Sequence, residues 1–191
     1  MKAKFTKYYG KSAKELLAML SEEGHIDIAP PIDLYSILNV LGVRLDESID
    51  LDRLDTAGSV SIGMDGVPVI WINPLENSFL PRKRFTIAHE IGHLIKHIDP
   101  NVGMTEYIDT RKTLNRKASY WDSKEYEANN FAAELLMPTE LLKEHGEKII
   151  AKYRKLTGKK MPIDRLISEM AKIFNVSEQA MRFRLRNIGA I

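Results

Sequence analysis

The segment RFTIAHEIGHLIKH, residues 84–97, constrains this chain more than any other part of it. It places His89, Glu90 and His93 in the pattern H-E-x-x-H inside an otherwise apolar run, which predicts a buried helix. Residues four apart lie on one side of a helix, so His89 and His93 can direct two imidazole nitrogens at a common point. Zn²⁺ accepts two such nitrogens in a tetrahedral site.

Glu90 follows the first histidine and is expected at the edge of this site. Its carboxylate can accept a proton from water that the metal makes acidic, and the water can then attack a peptide carbonyl. The alternative is an ordinary buried helix, since Ile87, Ile91 and Ile95 provide an apolar face. Burying two histidines and a glutamate without partners is costly, which favours the metal site. Gly92 would let another backbone or a substrate approach closely.

A zinc site of this kind needs a third protein ligand and an open position for water. The chain has no cysteine, and no histidine follows at the short spacing H-E-x-x-H-x-x-G-x-x-H. His97 lies one more turn along the helix, too far to share the centre, and we interpret it as a C-terminal histidine favoured by the helix dipole. The third ligand is therefore expected to be a carboxylate from another helix.

The segment KEYEANNFAAELLMP, residues 124–138, predicts that second helix and offers Glu125 and Glu127. Two residues apart on a helix differ by about 200°, so only one of these carboxylates can face the metal. Asn129 lies four residues after Glu125 and could bind the far side of a ligand histidine, which metal-bound histidines usually require. This pairing favours Glu125 as the ligand and leaves Glu127 as the alternative.

The remaining patterns predict an α+β fold, with a small mixed or antiparallel sheet packed on the H-E-x-x-H helix. An Asp65-Gly66 turn between β-rich runs indicates a hairpin. Residues 99–121 show no clear period and predict a loop or weak strands that could face a substrate. We expect a zinc metallopeptidase domain at 1–137 and a helical, helix-turn-helix-like C-terminal region at 138–191. Helices are predicted near 12–23 and 34–41, from about 81 to past 97, and near 123–137, 139–153, 163–174 and 177–187. Strands are predicted near 58–62 and 67–72.

Basic residues are concentrated at the C-terminal end, with eleven basic and three acidic residues from Lys148 onward. Such a tail can contact nucleic acid or an acidic protein. Arg182, Arg184 and Arg186 follow a Val-Ser turn and could lie on the second helix of a helix-turn-helix. We favour a small helical bundle that packs on the peptidase and recognises protein, so direct nucleic-acid binding is the less favoured alternative.

The chain is expected to be cytoplasmic and not bound to a membrane. No stretch approaches the ~20 apolar residues that cross a bilayer, and the basic start lacks the apolar core of a signal peptide. The absence of cysteine is compatible with a reducing compartment.

The two helices together resemble the ImmA/IrrE family of metallo-endopeptidases, through RFTIAHEIGHLIKH and the later E-x-E-A-N-x-F-A-A-E-L-L-M-P. The segments VIWIN and FNVSEQAMRFRLRNIG are also similar, so the resemblance spans roughly residues 30–188. It implies one zinc ion bound by His89, His93 and a glutamate, with Glu90 as catalytic base. Aligned without gaps from the L-L-M-P end, the third ligand is Glu125. The resemblance also implies a protein substrate, a helix-turn-helix DNA-binding repressor of a mobile element, phage or stress response.

Two other hypotheses remain open. The chain could be a metal-binding regulator that acts by protein or DNA contact without proteolysis, or a partner in a toxin–antitoxin pair. Glu90 is the residue that distinguishes a peptidase from the metal-binding regulator. A purely structural metal site has no use for an ionised carboxylate beside an open coordination position. Zinc is the expected ion, although manganese or iron can also occupy a site of two histidines and one carboxylate.

Overall fold

The computed structural model describes residues 3–100, the strand at 106–110 and residues 123–191. The expected α+β class is confirmed, with a small mixed sheet beside helices and a helical C-terminal part. None of the described helices is long and apolar enough to cross a membrane. The α-helices of the described part are α1 (Ala13–Glu22), α2 (Leu34–Leu41), α3 (Leu80–Lys96), α4 (Ser123–Leu136), α5 (Thr139–Thr157), α6 (Ile163–Phe174) and α7 (Glu178–Asn187). Its strands are β1 (Arg44–Asp46), β2 (Thr56–Ile62), β3 (Pro68–Ile72) and β4 (Glu106–Thr110).

The two N-terminal helices begin and end where the local sequence predicts. Ser12 and Glu15 form a reciprocal capping box at the start of α1, in which each side chain accepts a hydrogen bond from the backbone N–H of the other residue. Asp33 caps α2 by accepting from the N–H groups of Tyr35 and Ser36. α2 ends at Gly42, whose φ of 70° suits a residue without a side chain.

The sheet has the strand order β1-β3-β2-β4. β2 pairs antiparallel with both β3 and β4, whereas β1 pairs parallel with β3, so the sheet is mixed. The predicted hairpin is confirmed: Gly66 has a φ of 74°, and the N–H of Gly63 donates to the carbonyl of Val67. Strand β4 falls within the weakly patterned segment 99–121. Residues 101–105 and 111–122 of that region lie outside the described residues.

Helix α3 lies at the centre of the described structure, against β2 and β3 on one side and α4 on another. Its apolar face, which includes Ile87, Ile91 and Leu94, is fully buried. Gly92 allows the close approach of α4, because a Cβ atom at Gly92 would lie 3.2 Å from the Cα of Ala128. The expectation that Gly92 admits a neighbouring backbone is confirmed, and the contact fixes α4 beside the H-E-x-x-H turns.

The C-terminal helices share the apolar core with the rest of the chain, through Leu142, Phe174 and Leu185 among others. The α6–α7 turn places Asn175 at a φ of 51°, and Ser177 then caps α7. Helix α5 continues to Thr157, past the predicted end near 153, and stops only at Gly158. The domain boundary that we expect between residues 137 and 138 stays a prediction.

Two of the three arginines on α7 contact the protein itself. Arg182 pairs with Asp164 of α6 at 2.7 Å, and Arg184 donates to the carbonyl oxygen of Met137 at 3.1 Å. Arg186 is exposed. Two of the three arginines that a helix-turn-helix could direct at a phosphate backbone therefore have partners within this fold.

Candidate metal centre

Helix α3 supplies two imidazoles to a buried point in the molecule. His89 and His93 lie four residues apart, and their Nε2 atoms are 2.9 Å from each other. Both side chains are buried. The two rings meet edge to face with centroids 4.6 Å apart, so both Nε2 atoms face a common centre.

Glu125, in the first turn of α4, brings a carboxylate to the same point. Its Oε2 lies 3.3 Å from Nε2 of His89, and its Oε1 lies 3.3 Å from Nε2 of His93. One ligand atom from each of the three residues lies within 4.8 Å of the others. Two imidazole nitrogens and one carboxylate form the protein donor set of many catalytic zinc sites, so these residues could hold a metal ion.

The protonation states of His93 and Glu125 suit metal binding. Burial lowers the pKa of His93 to about 4, although contact with Glu125 opposes the shift. Burial also opposes ionisation of Glu125, but hydrogen bonds from His89 and His93 outweigh it and lower the pKa of the carboxyl. At neutral pH the structure therefore presents a neutral His93 imidazole and an ionised Glu125 carboxylate, the forms in which these side chains bind metals.

Glu90 lies on α3 between the two histidines, and its side chain is fully buried. Its carboxylate packs against Gly58 of β2, where a Cβ atom would lie 2.8 Å from Oε1 of Glu90 and 2.9 Å from Cγ2 of Thr86. Real Cβ atoms essentially never come so close. Gly58 therefore makes room for the carboxylate between the sheet and α3.

A buried amide network holds this part of α3 against the sheet. The side-chain N–H groups of Asn77 donate to the carbonyl oxygens of Ala57 and Asn73, at 2.8 and 2.9 Å. The hydroxyl of Thr86 donates to Oδ1 of Asn77 at 2.6 Å. Thr86 lies one turn before Glu90, so the network links the strand that carries Gly58 to the helix that carries Glu90. The patterns considered above did not predict this network, whose signal in the sequence is the pair Asn73 and Asn77 on either side of a Pro74 turn.

The structure corrects the interpretation of His97. His97 caps the C-terminus of α3, but it is buried and its Nδ1 lies 2.9 Å from Nδ1 of His93. Burial lowers the pKa of His97 despite a hydrogen bond with Glu127, so a cationic imidazole stabilised by the helix dipole is not what the structure presents. His97 instead contacts the side of His93 that faces away from Glu125.

Of the remaining candidates on α4, Glu127 faces His97 rather than the paired Nε2 atoms, with its Oε2 3.2 Å from Nε2 of His97. Asn129 is exposed and lines a neighbouring cavity. Among the described hydrogen bonds, none joins Asn129 to His89 or His93. We expected Asn129 to contact the far side of a ligand histidine; on His93 that contact comes from His97.

A cavity of about 650 Å³ lies between α3, α4 and α7. It is bounded by the start of α3, one side of α4 and the exposed side of α7. Phe85 lies one turn before His89, and Tyr126 is adjacent to Glu125, so the cavity adjoins the elements that supply the candidate ligands. Its lining includes Phe79, Phe85, Tyr126, Ala133, Ala180 and Phe183.

Comparison with known proteins agrees with this geometry. The family model Peptidase_M78, described as the IrrE N-terminal-like domain, matches residues 46–186. The match includes α3 and α4 with all three candidate ligands, and it continues through the C-terminal helices. A search of curated proteins finds no match. Because the family model covers well over half of the chain, this protein belongs to the IrrE N-terminal-like family of peptidases, Peptidase_M78.

Proposed function

We propose that this protein is a zinc-dependent endopeptidase. The observation that carries the proposal is the convergence of His89, His93 and Glu125 within 4.8 Å, on the same helix pair as a buried Glu90. Family membership supports peptide-bond hydrolysis, and the two-histidine, one-carboxylate donor set supports zinc. Elemental analysis distinguishes zinc from manganese or iron, which tolerate the same donors.

In this proposal, His89, His93 and Glu125 are the metal ligands and Glu90 is the general base. A bound zinc ion would polarise the scissile carbonyl and make a water molecule acidic. Glu90 accepts the proton of that water as the water attacks the carbonyl carbon, and then delivers the proton to the leaving amine. Gly58 leaves the space that the Glu90 carboxylate occupies, and the Asn77–Thr86 hydrogen bond ties α3 to the segment after β3 one turn before Glu90.

The substrate that we propose is a protein, and specifically a helix-turn-helix transcriptional repressor of a mobile element, phage or stress response, cut in the cytoplasm. The resemblance to the ImmA/IrrE family supports this class of substrate. The cavity between α3, α4 and α7 supports a polypeptide substrate. Phe79, Tyr126 and Phe183 are each more than half exposed around it, and aromatic side chains are common anchors in protein recognition.

A comparison of cleavage products in cells tests the proposed function even when the substrate has not been identified. Cells would express either the wild-type protein or Glu90→Gln, and new protein N-termini would be labelled and identified. We expect a small set of new N-termini with the wild type, including one in a helix-turn-helix protein, and none of them with Glu90→Gln. Identical N-termini in both samples, with zinc bound equally, would favour a regulator that acts by contact without proteolysis.

A further inference from the structure

His97 and Glu127 form a second layer behind the candidate metal centre. Nδ1 of His97 lies 2.9 Å from Nδ1 of His93, and Nε2 of His97 lies 3.2 Å from Oε2 of Glu127. The His97 side chain is only 4% exposed, whereas the Glu127 side chain is 55% exposed. A continuous line of contacts thus runs from the candidate metal centre, through the rings of His93 and His97, to the exposed carboxylate of Glu127.

The proton positions along this line follow from the geometry. Nε2 of His93 faces Glu125 and His89, so its lone pair is needed for a metal ion there. With a metal ion bound, the ring proton of a neutral His93 is on Nδ1. The neighbouring Nδ1 atom of His97 can accept that proton in a hydrogen bond if it carries no proton itself. The proton of His97 is therefore on Nε2, where it is donated to Glu127.

We propose that His97 is a positioning residue for the metal centre. It fixes the ring orientation and tautomer of His93, and Glu127 in turn fixes the tautomer of His97. The inference rests on the proposed metal site, but it assigns to His97 and Glu127 a role that the site itself does not require. Partners of this kind raise the basicity of a ligand histidine, and their loss typically weakens metal binding by about 10–100-fold.

Substitutions of His97 distinguish a positioning role of this residue from a packing role, because asparagine and glutamine each mimic one ring nitrogen of histidine. The Oδ1 atom of asparagine can occupy the place of Nδ1 and accept from His93, whereas the amide of glutamine can occupy the place of Nε2 and reach only Glu127. His97→Phe keeps a ring of similar size and removes both contacts. A packing role would make His97→Phe the mildest of the three changes.

The test measures the zinc dissociation constant of the full chain by competition with a chelator. We expect His97→Gln and His97→Phe to bind zinc about 10–100-fold more weakly, and His97→Asn to stay within about threefold of wild type. Glu127→Ala should weaken binding less than His97→Phe, because the exposed carboxylate can be replaced by water. His25→Gln is the matched control. It removes an exposed histidine far from His97 in the sequence and should not change the zinc dissociation constant.

The outcomes distinguish this inference from the proposed function. Zinc binding by His97→Phe equal to that of wild type would overturn the positioning role and leave the metal site intact, while absence of zinc from the wild type would overturn both. Nitrogen-15 NMR of the zinc-loaded wild type provides a readout that needs no substitution. It should show His93 protonated at Nδ1 and His97 protonated at Nε2, and a proton on Nδ1 of His97 would refute the proposal.

Discussion

If Glu90 is the general base, replacement of Gly58 by alanine should lower the cleavage rate while leaving the proposed metal ligands in place. The added Cβ atom would lie 2.8 Å from Oε1 of Glu90 and 2.9 Å from Cγ2 of Thr86, whereas ordinary contacts begin at 3.4 Å. Because a hydrogen bond to buried Asn77 holds Thr86, we expect the Glu90 carboxylate, and not Thr86, to move away from the added Cβ atom. A misplacement of about 1 Å can cost about 100-fold in rate, and overpacking typically costs about 1–3 kcal/mol in stability.

The assay for Gly58→Ala measures three quantities: the rate at which the partner protein found by N-terminal labelling is cleaved, the zinc content, and the unfolding in denaturant. We expect a rate loss of about 100-fold with one zinc ion retained, because the atoms nearest to the added Cβ belong to Glu90 and Thr86 and not to the metal ligands. Gly146→Ala, on α5, is the control: its Cβ would have no neighbour nearer than 4.0 Å, so both rate and zinc content should be unchanged. Wild-type cleavage by Gly58→Ala would refute the reasoning that links Gly58 to the base.

Three further predictions concern metal, pH and the cavity. Removal of zinc with a chelator should lower the unfolding temperature, because an ion present at about 1,000 times its dissociation constant stabilises the native state by about 4 kcal/mol; a calorimetric scan with and without chelator measures the shift. The metal-free protein should lose stability as pH falls from 6.5 towards about 4, since the unfolded chain protonates His93 in that range and the native state does not, and His93→Gln should flatten this part of a denaturation-versus-pH profile. Ala180→Trp, which adds an indole to the cavity, should slow cleavage of the partner without changing zinc content, as measured in parallel by elemental analysis.

The elements around the site could be predicted from sequence because their signals are local. A four-residue spacing on a helix brings His89 and His93 together whatever surrounds them. Residues two apart on a helix differ by about 200°, so only one of Glu125 and Glu127 could face the metal. The preference for Glu125 came from its pairing with Asn129 and from the family resemblance, and the Asn129 contact is not among the described hydrogen bonds. The structure brings Glu125, and not Glu127, to the two histidines, and the family match includes all of these positions.

The features that sequence analysis missed depend on contacts between distant segments. His97 was interpreted from its place at a helix end, but its neighbours are set by how closely α4 packs on α3 at Gly92. The space that Gly58 provides for Glu90 depends on the register between β2 and β3 and on how α3 crosses them. Neither relation has a periodic signature along the chain, so both emerge only when the fold is known.

The most direct test of the central claim is the metal content of the purified protein, measured by elemental mass spectrometry for the wild type, Glu125→Ala and Glu127→Ala. We expect one zinc ion per chain in the wild type, its loss in Glu125→Ala and its retention in Glu127→Ala at stoichiometric concentrations. No metal in the wild type after zinc is supplied, or loss in Glu127→Ala with retention in Glu125→Ala, would contradict the site described for this protein.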